Sequence, residues 1–159
     1  MRCIKSITSI VSGLLFISIS ASAQPPRNQI LDDVHVTEKA GCYTVQIAFT
    51  FPVRYVRHFP FEQGKDLQIQ IEPIALGQLD KQAIFDRESM KMRPSVGLPL
   101  DQVVYEGDVE GGPYLHVLFN EVVNYEVGQG TDFRSILVAI QNPAPPPDTA
   151  TCPHLPKIK

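Results

Sequence analysis

The residues that could do chemistry in this chain are few, and most of them match no catalytic pattern. The serines after residue 23 are Ser89, Ser95 and Ser135, and none lies in a Gly-x-Ser-x-Gly elbow. The four histidines show no metal-ligand spacing, and no phosphate-binding glycine loop is present. We therefore expect no catalytic residue, no bound metal and no cofactor.

Acidic residues form two clusters that could act as carboxylate pairs. The clusters are Glu106, Asp108 and Glu110, and Asp86 with Glu88. Carboxylate pairs perform acid–base and glycosidic chemistry, so a carbohydrate-active enzyme using Glu106 and Asp108 is an alternative function. The larger cluster lies beside Gly107 and Gly111, which favours solvated carboxylates in a turn.

The most distinctive local segment runs from residue 51 to 61 and reads FPVRYVRHFPF. Its basic or titratable side chains, Arg54, Arg57 and His58, are the candidate ligand-binding residues. Arginine pairs bidentately with carboxylates, and neighbouring aromatic rings can stack on a ligand. The alternative is a core strand whose charges keep an exposed edge soluble.

Residues 1–23 have the layout of a secretory signal peptide. Two basic residues precede an apolar stretch over 7–20, and Ala21-Ser22-Ala23 offers a small-x-small cleavage site. The alternative is a membrane anchor, but the stretch is shorter than the roughly 20 residues that span a bilayer. The sequence predicts a periplasmic product with no transmembrane segment after cleavage.

Charge and cysteine content narrow the partners and the compartment. Residues 1–23 hold two of the 14 basic residues and none of the 17 acidic ones, so residues 24–159 carry a formal charge of −5. Such a chain is a poor candidate for binding nucleic acid. Cys42 and Cys152 remain after cleavage, and an even pair in an oxidising compartment predicts a disulfide. Two unpaired thiols, or a bond from one of them to another chain, are the alternatives.

Period-two alternation of apolar residues dominates the remaining chain and predicts strands. Glycine and proline separate the candidates and mark turns. About eight strands are expected, at 34–36, 43–50, 53–56, 67–72, 103–105, 115–120, 122–127 and 136–140.

The chain also repeats its own pattern at an offset of 70 residues. Val34 matches Val104, and the motif Phe-x(3)-Val-x-Tyr occurs at both 49–55 and 119–125. After a one-residue slip, 67–71 matches 136–140. One half is too small to cover its apolar face, whereas two can pack together. The pattern predicts an all-β, pseudo-symmetric two-sheet β-sandwich built from a duplicated strand unit.

Four segments follow from these patterns. The signal peptide covers 1–23, a linker 24–31, the β domain 32–141 and a proline-rich tail 142–159. Within the domain, 80–92 could hold a short helical turn. Met90, Met92, Leu98 and Leu100 are expected over one end of the sandwich. The tail is expected to be extended, polyproline-like chain unless Cys152 ties it down.

The exported, duplicated β unit resembles the AMIN domains of proteobacterial envelopes. The resemblance rests on 43–56 (YTVQIAFTFPVRYV) and 114–127 (YLHVLFNEVVNYEV), each an apolar alternation followed by Val-x-Tyr, and covers about residues 32–141. That family implies a small β-sandwich that targets carrier proteins within the periplasm. The insert at 74–100 has no counterpart in that pattern.

The resemblance favours a non-catalytic envelope-binding module over the enzyme alternative. It implies peptidoglycan or an envelope protein as the partner. A third possibility is an interaction subunit that uses its proline-rich tail as a ligand for a partner domain.

Overall fold

The computed structural model describes residues 29–39, 41–74, 81–93 and 97–141, together with Cys152 and Leu155. The predicted signal peptide, positions 24–28 of the linker and most of the proline-rich tail lie outside these residues. Within the described residues, no helix is long and apolar enough to cross a bilayer.

The described chain consists of antiparallel strands with one short 3-10 helix at Ala83–Phe85. The all-β expectation is therefore confirmed, and the expected helical turn within 80–92 is the 3-10 helix. The strands are β1 (Leu31–Lys39), β2 (Cys42–Phe49), β3 (Val53–Phe59), β4 (Gln63–Pro73), β5 (Arg87–Lys91), β6 (Leu100–Glu106), β7 (Tyr114–Gln129) and β8 (Ser135–Gln141).

The long strand β7 belongs to two groups of strands. Its first half lies between β4 and β6, and its second half pairs with β8. We call the group β1-β2-β8-β7 sheet A and the group β5-β6-β7-β4-β3 sheet B; hydrogen bonding through β7 makes them one continuous eight-stranded sheet. Close face-to-face packing of two layers stays a prediction.

Strand registers in the two halves of the chain match pair for pair. Both β1 and β6 also carry an irregularity after their first residue, between Leu31 and Asp33 and between Leu100 and Gln102. The matching pairs are Leu31–Phe49 with Leu100–Phe119, Val45–Val138 with Leu115–Ile69, and Tyr55–Ile71 with Tyr125–Ile140.

This matching shifts one predicted equivalence by a residue. Val34 pairs with Ile47, and the equivalent of Ile47, Val117, pairs with Val103. The partner of Val34 in the repeat is therefore Val103, and the predicted match to Val104 was wrong. Because the irregularities after Leu31 and Leu100 occur in both halves, they do not change the offset between the halves. The one-residue slip in the repeat therefore lies elsewhere in the chain.

One apolar cluster joins residues from both sheets. Phe49, Phe119 and Tyr125 are buried in it, whereas Tyr55 is only half-buried and packs against its edge. The two phenylalanines are thus equivalent in burial as well as in register, whereas the two tyrosines are equivalent in register but differ in burial.

The structure also differs from the predicted strand list at two places. The candidates at 115–120 and 122–127 are the single strand β7, and β5 lies inside the 74–100 insert where no strand was expected. The number of strands agrees with the prediction because one merger offsets one omission. Burial of Ile30 and Leu31 places the last residues of the predicted linker in the core.

Cys42 at the start of β2 is bonded to Cys152, as predicted, with an S–S distance of 2.01 Å. Leu155 lies on the outer side of sheet A, where its side chain would be 3.2 Å from a Cβ atom added to Gly128. The two described residues of the tail are therefore attached to the domain.

Candidate functional site

A pocket of about 360 Å³ lies at the outer side of sheet B, beside the turn between β3 and β4. We call it the hairpin pocket. Three strands contribute to it: β3 and β4, which the turn joins, and β7, which is distant in sequence. Its lining residues are Arg57, His58, Phe59 and Phe61 from β3 and the turn, Gln68 and Gln70 from β4, and Tyr114 from β7.

His58 holds the turn in place. Its Nε2 donates to the carbonyl oxygen of Phe61 at 2.9 Å, because a carbonyl can only accept. In the neutral ring Nδ1 then accepts from the Tyr55 hydroxyl at 2.6 Å. Burial raises the pKa of Tyr55, which keeps that hydroxyl protonated. Both ring nitrogens of His58 are therefore engaged within the protein, and its role is to position the turn.

Arg57 presents an oriented cation to the pocket. Its Nε donates to Oε1 of Gln70 at 2.7 Å, and the side-chain amide of Gln70 donates to the carbonyl oxygen of Gly111. Within the described residues, the Nη groups of Arg57 have no hydrogen-bond or ion-pair partner. The fixed Nε contact leaves those two groups available for a bidentate contact with a carboxylate.

Arg54 lies on the same strand but outside the pocket. Its guanidinium forms an exposed ion pair with Glu72 on β4. Of the three predicted site residues, the structure therefore brings Arg57 and His58 together and leaves Arg54 apart.

Exposed aromatic rings line the hairpin pocket together with Arg57. Phe59 and Phe61 are 64% and 71% exposed, and their ring centroids lie 6.1 Å apart in an edge-to-face arrangement. Tyr114 completes the aromatic lining from β7. Large apolar side chains on a surface are informative when they cluster beside polar groups, because such patches mark interaction sites.

Of the two acidic residues of the enzyme alternative, Glu106 is engaged in contacts on sheet B and, among the described residues, Asp108 is not. Glu106 accepts from Nε of Arg87 at 2.9 Å, and its other oxygen lies 3.5 Å from Nε2 of His116. His116 in turn contacts Asp66 through Nδ1 at 3.2 Å. Asp108 lies exposed in the turn after β6, as the sequence interpretation favours.

The second acidic pair supports the fold. A carboxylate oxygen of Glu88 on β5 accepts from the backbone N–H groups of Ile30 and Leu31, at 2.7 and 2.9 Å. The carbonyl oxygen of Asp86 accepts from the N–H of Gly107 at 3.0 Å. Glu88 thus links the edge strand of sheet B to the start of sheet A.

A larger groove, of about 660 Å³, lies between the edge strands β1 and β5. Its lining includes Met90, Met92, Leu98 and Leu100, which the sequence placed over one end of the domain. Charges of both signs border the groove, so they do not favour either an acidic or a basic ligand. These are Asp33 and Glu38 on one side, and Lys91 and Arg93 on the other.

Sequence reasoning missed three lining residues. Gln68 and Gln70 alternate with buried Leu67, Ile69 and Ile71, so their outward direction was predictable but their role was not. Tyr114 enters the site only because it pairs with Gln70 across β4 and β7. That juxtaposition has no signal in the local sequence.

Comparison with known proteins gives no relative from which a role could be transferred. No protein-family model, no curated protein and no solved structure matches this chain.

Proposed function

We propose that this protein is a non-catalytic binding module of the cell envelope, which recognises peptidoglycan or an envelope protein through the hairpin pocket. The observation that carries the proposal is Arg57, whose guanidinium is oriented by Gln70 and which lines the same pocket as exposed Phe59 and Phe61. Arginine beside aromatic rings suits a ligand that offers both a carboxylate and an apolar or ring surface.

The surroundings of the two acidic residues favour binding over catalysis. Glu106 already contacts Arg87 and His116, and Asp108 lies in an exposed turn. The tail alternative has less support, because Leu155 packs against Gly128 of its own domain. The AMIN resemblance of residues 32–141 agrees with a binding role.

The signal-like residues 1–23 and the disulfide support an exported, periplasmic location. We expect N-terminal sequencing of the exported protein to begin at Gln24, or at its cyclised form. A membrane-retained product that keeps residues 1–23 would contradict this location.

The binding role is tested with disulfide-bonded protein lacking residues 1–23. The protein is mixed with purified sacculi and, separately, with envelope proteins freed of sacculi. We expect at least one fraction to retain it, and Arg57→Ala to reduce that retention. Arg54→Ala is the matched control, because Arg54 carries the same charge on the same strand but lies outside the pocket. Retention by neither fraction, or equal retention of Arg57→Ala, would overturn the proposal.

A further inference from the structure

In sheet A, the surface equivalent to the hairpin pocket carries a residue of the chain's own tail. There Leu155 of the tail lies over Gly128, and its backbone N–H donates to a carboxylate oxygen of Glu126 at 3.2 Å. The disulfide between Cys42 and Cys152 holds this segment close to the sheet. The occupant of this surface is thus a piece of polypeptide.

The matching registers relate that surface to the hairpin pocket residue by residue. Two rows of paired residues in sheet B contribute to the pocket lining. The equivalent two rows in sheet A include Glu126 and Gly128, both of which contact Leu155. Arg57–Gln70–Tyr114 corresponds to Glu126–Ala139–Thr44, and Phe59–Gln68 corresponds to Gly128–Leu137.

The charge at the equivalent position is reversed. Glu126 accepts a hydrogen bond from the tail, whereas Arg57 can only donate. A segment lying on the pocket must therefore bring an acceptor, and a carboxylate fits the two Nη groups of Arg57 best. The tail of a second copy fits poorly, because Lys157 and Lys159 follow Leu155 and would oppose Arg57.

The surroundings of Arg57 suit an extended segment. Among the described strands, β3 is an edge strand that pairs only with β4. Exposed Phe59 at the end of β3 and exposed Phe61 in the following turn line the same pocket as Arg57 and offer apolar contact. Extended peptides bind beside exposed strand edges with alternate side chains in neighbouring pockets.

We infer that the hairpin pocket binds an extended, acidic polypeptide segment of a partner protein, with a carboxylate on Arg57 and an apolar side chain against Phe59 and Phe61. This inference rests on the proposed function, since it specifies the ligand of the same pocket. It selects a protein segment over peptidoglycan.

The test uses two blocked peptides that differ only in charge, alternating Val-Glu and alternating Val-Lys. Fluorescence anisotropy with the disulfide-bonded protein should show binding of the glutamate peptide and much weaker binding of the lysine peptide. Arg57→Ala should weaken glutamate-peptide binding by about tenfold or more, which corresponds to the loss of one charged hydrogen-bonded contact. Arg54→Ala should leave it nearly unchanged.

Charge reversal provides a second, independent readout. Arg57→Glu places at this position the residue type that Glu126 supplies in sheet A, so it should invert the preference toward the lysine peptide. Because Arg57 is exposed, both Arg57 variants should keep the wild-type circular dichroism spectrum. Equal binding of the two peptides, or a preference that Arg57→Glu does not change, would overturn the inference.

The outcome also separates this inference from the proposed function. Arg57-dependent binding to sacculi that the glutamate peptide fails to displace would overturn the inference and keep the proposed function. Glutamate-peptide binding by a protein that no envelope fraction retains would support the inference and overturn the proposed function.

Discussion

Arg54 and Arg57 carry the same charge on the same edge strand but differ in what their guanidinium groups contact. Arg54 is neutralised by Glu72 in an exposed ion pair, which contributes little to stability. Arg57 donates through Nε to an uncharged amide and keeps its charge. At the residue scale, a difference in partner therefore decides which of the two can serve a ligand.

We expect Tyr125 to make folding stability depend on pH in the alkaline range. Its buried hydroxyl donates to the carbonyl oxygen of Pro60 at 3.1 Å. Burial, with a smaller effect of the Asp66 carboxylate, raises the pKa of Tyr125 to about 12, and burial also raises that of Tyr105. The unfolded phenol ionises near pH 10, so the folded state binds more protons above that pH and stability falls as pH rises.

We therefore expect the urea midpoint to be steady from pH 8 to about pH 9.5 and to fall between about pH 10 and 12. Tyr125→Phe should start from a lower midpoint, because a hydrogen bond is lost, but should show a shallower alkaline fall. An identical fall in the variant would show that Tyr125 is not responsible.

The direction of the Arg57 side chain could not be predicted from alternation alone. Residues 54 and 57 are an odd number of positions apart, so a regular strand would place them on opposite faces. The irregularity between Tyr55 and Arg57 shifts the register, and Arg54 and Arg57 pair with Glu72 and Gln70 on the same outer side. Bulges of this kind re-aim side chains and leave no clear sequence signal.

Elements with a buried and an exposed face were the predictable ones. β2 and β4 carry clean alternation and lie where the sequence placed them. β8 also lies where the sequence placed it, although only its last residue is exposed. β5 reads RESMK and sits at an edge with charged side chains, so it lacks an apolar signal. The sequence predicted two strands in place of β7, because Asn120, Glu121 and Val122 are all exposed and interrupt the alternation.

The equivalence of β2 and β7 predicts matched losses of stability. Phe49→Ala and Phe119→Ala should each lower the unfolding free energy by about 3–5 kcal/mol, the usual cost for a buried phenylalanine. Phe85→Ala is the control, because Phe85 is 58% exposed. Urea unfolding monitored by circular dichroism measures all three. Negligible shifts for both buried positions would refute the equivalence.

The tail contributes to folding stability through its disulfide. The bond joins residues 110 positions apart, so removing it frees the unfolded chain and should cost at most about 4–5 kcal/mol. A Cys42→Ser, Cys152→Ser double variant should unfold at lower urea than the wild type and respond no further to reductant. Two thiols alkylated in wild-type protein without reductant would contradict the bond.

At the scale of the whole molecule, the repeat was visible in the sequence but its pairing was not. Each half of the chain supplies strands to both sheets: β8 lies between β2 and β7 in sheet A, and β4 lies between β7 and β3 in sheet B. Alternation records which side of a strand faces the core and not which strand lies next to it. The hairpin pocket could not be assembled from the sequence for the same reason, since it needs β4 beside β7.

This interleaving predicts that neither half folds alone. A fragment 24–77 keeps the pairs β1–β2 and β3–β4 but loses β7 and β8, the strands that join them. Isolated two-stranded hairpins are marginal in water. We expect fragments 24–77 and 78–159 to be separately unfolded by circular dichroism. Mixing them should restore the β spectrum and a cooperative thermal transition.

The cysteines provide an internal check on correct association, because Cys42 lies in the first fragment and Cys152 in the second. Oxidation of the mixture should yield one covalently linked pair of fragments, and the Phe119→Ala form of the second fragment should associate more weakly because it removes a buried ring from β7. A first fragment that unfolds cooperatively by itself would mean that one half can bury its own apolar face. In that case the pairing of β4 with β7 and of β8 with β2 would not be required for folding.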